Sequence, residues 1–179
     1  MHEVLEGHGG HEGQEEGPFT LPVTVTLSIL AVLVAITTLM GHRSSKEELL
    51  LQNQESDQWN YYQAKNQRMV ARRIGADELA LLMPVDKEKA EAARLKYEEE
   101  AARYEKEKDE ASAKAKELQN ERLLVEKRGD RYEAGEVILE IALIICSFTL
   151  LTKKKTFWYG GMVLGVVGIV TAFSGFLFH

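Results

Sequence analysis

Charge in this chain is confined to blocks, and that confinement limits its possible folds more than any other feature. From Leu21 to Met40 there is no charged residue, and there is none from Thr156 to Phe178. The segment 41–135 holds 19 of the 22 Lys and Arg. A soluble core spreads its apolar residues periodically among polar ones. Charge-free runs of about 20 residues instead match the hydrocarbon thickness of a bilayer. The chain therefore reads as a membrane protein carrying a large polar module.

The first span, 21–40, holds an apolar run from Pro22 to Met40 that covers roughly 28 Å as a helix. A cleaved signal peptide is the rival reading, but it requires a basic n-region and a small-residue cleavage site. The preceding tail, 1–20, holds five Glu and no Lys or Arg, and the exit reads Thr37-Thr38-Leu39-Met40-Gly41. An uncleaved anchor fits better. The last segment, 157–178, opens with Phe157-Trp158-Tyr159 directly after Lys153-Lys154-Lys155, the aromatic and basic marks of a membrane boundary. The segment 136–152 is shorter and contains Glu140. Only the basic turn 153–156 separates it from the last segment, so the two pair as a tight hairpin.

Between the first two spans, 41–135 reads as helix, break, helix, with the turn near 84–86. Ser44 and Ser45, each followed three residues later by Glu, make capping boxes. Pro84 stops the first arm and Asp86 caps the second. In the second arm Ala90, Tyr97, Tyr104, Ala111, Leu118, Val125 and Tyr132 recur every seven residues, the spacing of a coiled-coil seam. The alternate positions are mixed (Arg94, Ala101, Lys108, Ala115, Arg122), so the seam is thin. The first arm has its own series in Tyr62, Met69, Ala76 and Met83. Gly41 and Gly129 are read as helix ends where the arms meet the membrane, with Asp130 restarting the second helix. The expected fold is all-α: three transmembrane helices with a long extramembrane helical hairpin, a coiled-coil-like stalk, between the first and second spans.

Glu140 stands four residues after Glu136, so both carboxylates share a helix face. Ionisable groups inside a span are functional candidates. Chain order puts Glu140 near the level of His42, Arg43 and His179, and a snorkelling interfacial carboxylate is the plainer alternative to a proton or ion path. In the last span Gly161 with Gly165, and Gly168 with Ala172, are small residues one helical turn apart, which permit close helix approach in lipid. Such packing can lie within one chain or between copies. His2, His8 and His11 lie among acids and glycines and fit no closed metal site, so no metal or cofactor is expected. The lack of a cationic surface excludes nucleic acid, and no nucleophile–base arrangement or phosphate loop points to an enzyme. Cys146 is single and makes no internal disulfide.

The stretch LLLQNQESDQWNYYQAK, Leu49 to Lys65, follows a span ending in Gly41-His42, and the closing LLTKKKTFWYGG covers Leu150 to Gly161. These blocks resemble the bacterial membrane family known as domain of unknown function 4337, and the resemblance covers nearly the whole chain. It implies this architecture and a bacterial source, and it carries over no catalytic residues. Arg43 and Lys46 depart from the family's usually less basic exit from the first span. The function expected is a non-enzymatic membrane scaffold or accessory subunit, assembling as a homo-oligomer or within a larger complex through its stalk and glycine-rich spans. The rivals are a small transporter built on Glu140 and a metal-responsive protein using the tail. In a bacterial inner membrane, the short basic turn 153–156 favours a cytoplasmic turn and a stalk on the outer face, whereas Arg43, Lys46, Lys127, Arg128 and Arg131 at the base of the stalk favour the reverse.

Overall fold

The computed structural model describes residues 20–81 and 86–177. Three helices account for nearly all of them: α1 (Thr20–Leu81), α2 (Lys87–Thr152) and α3 (Lys155–Ser174), with a 3₁₀ turn at Gly175–Leu177. All three contain a stretch long and apolar enough to cross a membrane.

α1 and α2 are each one unbroken helix of more than 60 residues. The expected helix ends at Gly41 and Gly129 are therefore wrong, as is the restart at Asp130. A mid-helix glycine costs only about 1 kcal/mol, whereas ending a helix there frees several backbone groups beside apolar surroundings. Both glycines are buried against the partner helix. A Cβ at Gly129 would lie 3.4 Å from the Cβ of Ser44. The presumed capping serines serve elsewhere. Ser44 Oγ accepts from Arg128 Nε at 3.3 Å, and Ser45 Oγ donates to the Gly41 carbonyl at 3.1 Å.

Asp86 does cap α2, accepting from the Lys89 amide at 3.1 Å. The expected turn at Pro84, and Met83 with it, lie outside the described residues. α1 and α2 lie side by side and antiparallel, since Glu47 pairs with Arg128, Lys65 with Glu107 and Arg72 with Glu100. The heptad residues Ala111, Leu118, Val125 and Tyr132 are buried along this contact, while Ala90, Tyr97 and Tyr104 are half-buried. Ala101 and Ala115 fill alternate positions, and their small side chains let the helices close up.

The polar residues of the seam lay their stems along it and extend their charged ends outward. Arg122 meets Glu55 at 3.1 Å and Glu126 at 3.0 Å. The Arg72 guanidinium lies 4.9 Å from the centre of the Tyr97 ring, and Lys65 stands over both Tyr61 and Tyr104.

One pH dependence follows from these pairs. The hydrogen bond to Lys65 holds the Glu107 carboxyl below its ordinary value of 4.5, and the same bond raises Lys65 above 10.5. The carboxylate's contribution is present above 4.5 and is lost as pH falls through its lowered folded value. The ammonium's contribution is present below 10.5 and is lost as pH rises through its raised value. Arm pairing is expected to be flat across the interval between, and to weaken at both ends. Thermal melts followed by circular dichroism across pH check this. A Lys65→Met, Glu107→Gln double variant should lose part of the drop at each end.

At the apolar end, Leu30, Leu139, Ala142 and Cys146 form the core, flanked by Leu27, Leu143, Trp158 and Leu164. α2 passes to α3 through only Lys153 and Lys154. Lys153 takes a left-handed conformation (φ 54°), and its amide donates to the Thr149 carbonyl at 2.8 Å. That left-handed residue ends α2 and reverses the chain.

Candidate functional site

The polar arms and the apolar bundle meet at one level, where the end of the apolar part of α1, the middle of α2 and the end of α3 come together. Beside Gly41 stands Tyr132 of α2. The Tyr132 ring meets Phe176 edge-on, with centroids 5.9 Å apart, and borders Gly175. A Cβ at 175 would lie 3.0 Å from that ring, so glycine lets the end of α3 tuck under it. Just above, Arg128 donates to Ser44 and ion-pairs with Glu47.

These side chains leave a cavity of about 220 Å³ bounded by Met40, Arg43, Glu47, Arg128 and Phe176. A second, almost wholly apolar cavity of about 120 Å³ lies beside it. It runs between Leu33 and Ile36 of α1 and Ile169 and Phe173 of α3, and it shares Met40, Tyr132 and Phe176 with the first.

The expected polar cluster of Glu136, Glu140, His42 and Arg43 does not come together as one group. Glu136 accepts a hydrogen bond from Thr38 Oγ1, which itself bonds the Val34 carbonyl. Glu140 is exposed on the outer surface of α2, with exposed Val137, Ile141 and Ile144 around it. It has no hydrogen bond or ion pair among the described residues. Tyr132 is level with Gly41, so Glu140 lies eight residues further along, roughly 12 Å deeper into the apolar end. His42 and Arg43 are exposed at the junction. His179 lies outside the described residues, as do His2, His8 and His11. Among the described residues no group of His, Cys, Asp and Glu is placed to hold a metal.

The expected packing glycines all face inward. A Cβ at Gly161 would overlap the sulfur of Cys146, one at Gly168 would reach within 2.8 Å of Leu139, and one at Gly165 within 2.9 Å of Leu30. Gly135 of α2, which the small-residue pattern had not singled out, accepts Ala172 so closely that a Cβ would lie 2.8 Å from the Ala172 backbone nitrogen. A lone glycine gives no spacing to read, so only the facing helix identifies it. Gly160 points outward, with nothing within 4 Å. α3 is thus interlocked with α2. It meets α1 through Leu30, and through Trp158 Nε1, which donates to Thr26 Oγ1 at 3.1 Å near the α2–α3 turn.

The arrangement defines a class: an all-helical chain with three helices long and apolar enough to cross a membrane, two of which continue into long charged arms. A family model described as a domain of unknown function, DUF4337, matches residues 20–178, and the chain belongs to that family. No curated protein and no solved structure gives a match.

Proposed function

We propose that this chain is a non-enzymatic, multi-pass membrane scaffold whose paired arms form an extramembrane stalk and hold a partner away from the bilayer. The observation that carries this reading is the apolar surface left outward on otherwise charged arms. Val70, Ile74 and Leu81 are exposed on one face of α1, and Leu49, Leu50, Leu123 and Leu124 are exposed nearer the bundle. Exposed apolar patches on a polar element mark contact surfaces. The heptad seam and the inward glycines are used up within the chain, so assembly falls to these outer residues.

Membrane embedding is supported by the apolar end, whose outer faces carry exposed Val25, Ile29, Val32, Val163, Val166 and Val170 around an apolar core in which inward glycines let the helices approach. For location we propose the inner membrane of a bacterium with the stalk on its outer face, a reading supported by the short basic turn of Lys153, Lys154 and Lys155. A single cysteine at Ser112, in a Cys146→Ser background, should then react with an impermeant maleimide in intact cells.

In lipid nanodiscs the wild-type protein is expected to associate with further copies or a co-purifying subunit. A Val70→Lys, Ile74→Lys variant should run as a lone chain. A strictly monomeric, partner-free wild type would defeat the scaffold reading. The rival, ion movement through Glu140, is weakened by that residue's position on the outer surface instead of between helices. Flux in reconstituted vesicles that Glu140→Gln abolishes would replace the scaffold with a transporter.

A further inference from the structure

We propose that the cleft between α1 and α3 holds one anionic phospholipid, its phosphate between Arg43 and Arg128 and one acyl chain along Ile36 and Phe173. The inference rests on the proposed membrane embedding and adds a ligand to it. The geometry begins with how α3 is held. Glycines lock it to α2, while its ties to α1 lie at Thr26 and Leu30, toward the α2–α3 turn. Toward the arm end lie the two cavities, side by side along α2, with Met40, Tyr132 and Phe176 common to both.

That space has the polarity of a lipid. Its deep part is apolar, and Leu33 lies seven residues, about 10 Å, below Met40, where the charge-free stretch ends. Its mouth is lined by Arg43, Glu47 and Arg128 three to seven residues beyond Met40 or level with them, at headgroup depth. Glu47 is paired with Arg128 and offsets it. No carboxylate pairs with Arg43 among the described residues. The mouth therefore carries about one net positive charge, which complements the single negative charge of a phosphodiester headgroup and not a neutral zwitterion. Basic pockets between spans bind anionic headgroups on this principle. A free phosphate would satisfy the arginines but leave the apolar part of the cleft unfilled.

Native mass spectrometry of the detergent-solubilised protein with equimolar phosphatidylglycerol and phosphatidylcholine of identical chains tests the proposal. The expected result is one retained phosphatidylglycerol per chain, preferred several-fold. Arg43→Ala should bring the two lipids to parity, and Arg43→Lys should keep the preference. Ile36→Trp, at an exposed position lining the deep part, should reduce retention of both lipids. Parity in the wild type, an undiminished preference in Arg43→Ala, or displacement of the lipid by millimolar inorganic phosphate would each overturn the site. Protein that does not incorporate into nanodiscs would overturn the membrane reading and the site with it. Incorporated protein with no lipid preference overturns the site alone.

Discussion

Replacing Gly161 by alanine is expected to destabilise the apolar bundle by about 2–3 kcal/mol, while the same change one residue earlier, at Gly160, leaves it nearly unaltered. A Cβ at 161 would run into the Cys146 sulfur and lie 3.0 Å from the Ala142 carbonyl oxygen and 3.2 Å from the Cys146 nitrogen. Two of these three neighbours are backbone atoms of α2, so relief requires α3 to move away as a body. Gly160 has nothing within 4 Å and gains only the ordinary helix preference for alanine. Cys146→Ala should recover part of the loss, because it removes the sulfur and leaves the backbone contacts. Gly135→Ala should behave like Gly161→Ala, since it strikes the backbone of Ala172. Reversible unfolding in mixed micelles measures all four variants. Equal effects at 160 and 161 would mean that α3 does not pack as described.

How far these contacts were legible depends on the contrast each residue had with its surroundings. Ala111, Leu118 and Val125 stood out because charged residues lie between them. Beyond Tyr132 the same seven-residue spacing continues through Leu139 and Cys146, both buried. There it was invisible, because every neighbour is also apolar. The facing arm showed its seam only at Tyr62, Met69 and Ala76, and hid the rest for the opposite reason. Its inner positions include Glu48, Glu55, Gln58, Lys65 and Arg72, whose polarity conceals half-buried stems. Gly41 and Gly129 were misread because one letter serves both a helix end and a close contact, and only the facing helix decides between them. Glu136 drew attention only through its four-residue spacing from Glu140. Its partner, Thr38, lies 98 residues away, a separation no local pattern reports.

Adding a single alanine after Val125 is expected to separate the arms, whereas repeating a full heptad in both arms should lengthen the stalk and leave it folded. The inner positions of α1 (44, 48, 51, 55, 58, 62, 65, 69, 72 and 76) advance by alternating steps of three and four, as do those of α2 from 94 to 129. That is a 3.5-residue repeat, the spacing at which paired helices are expected to supercoil. In α2 the steps at 129, 132 and 135 are both of three residues, and there α3 joins, with Gly175 at Tyr132 and Ala172 at Gly135. Because α2 is unbroken, its seam in the arm and its buried face in the bundle are fixed relative to one another. One added residue turns them by about 100°. With Tyr132 and Leu139 still held in the bundle, Leu118 and Ala111 would leave the contact. Lys65 would lose Glu107, and Arg72 would lose Glu100. Repeating 59–65 and 107–113 together adds about 10 Å to each arm and a second copy of the Lys65–Glu107 pair, without turning either helix out of phase. Spin labels at Ser56 and Glu117, in a Cys146→Ser background, should give a short, narrow distance in the parent and a broad one after the single insertion. Labels at His42 and Glu78 should move about 10 Å further apart in the double repeat. A narrow Ser56–Glu117 distance that survives the single insertion would show that the heptad seam is not what holds the arms together.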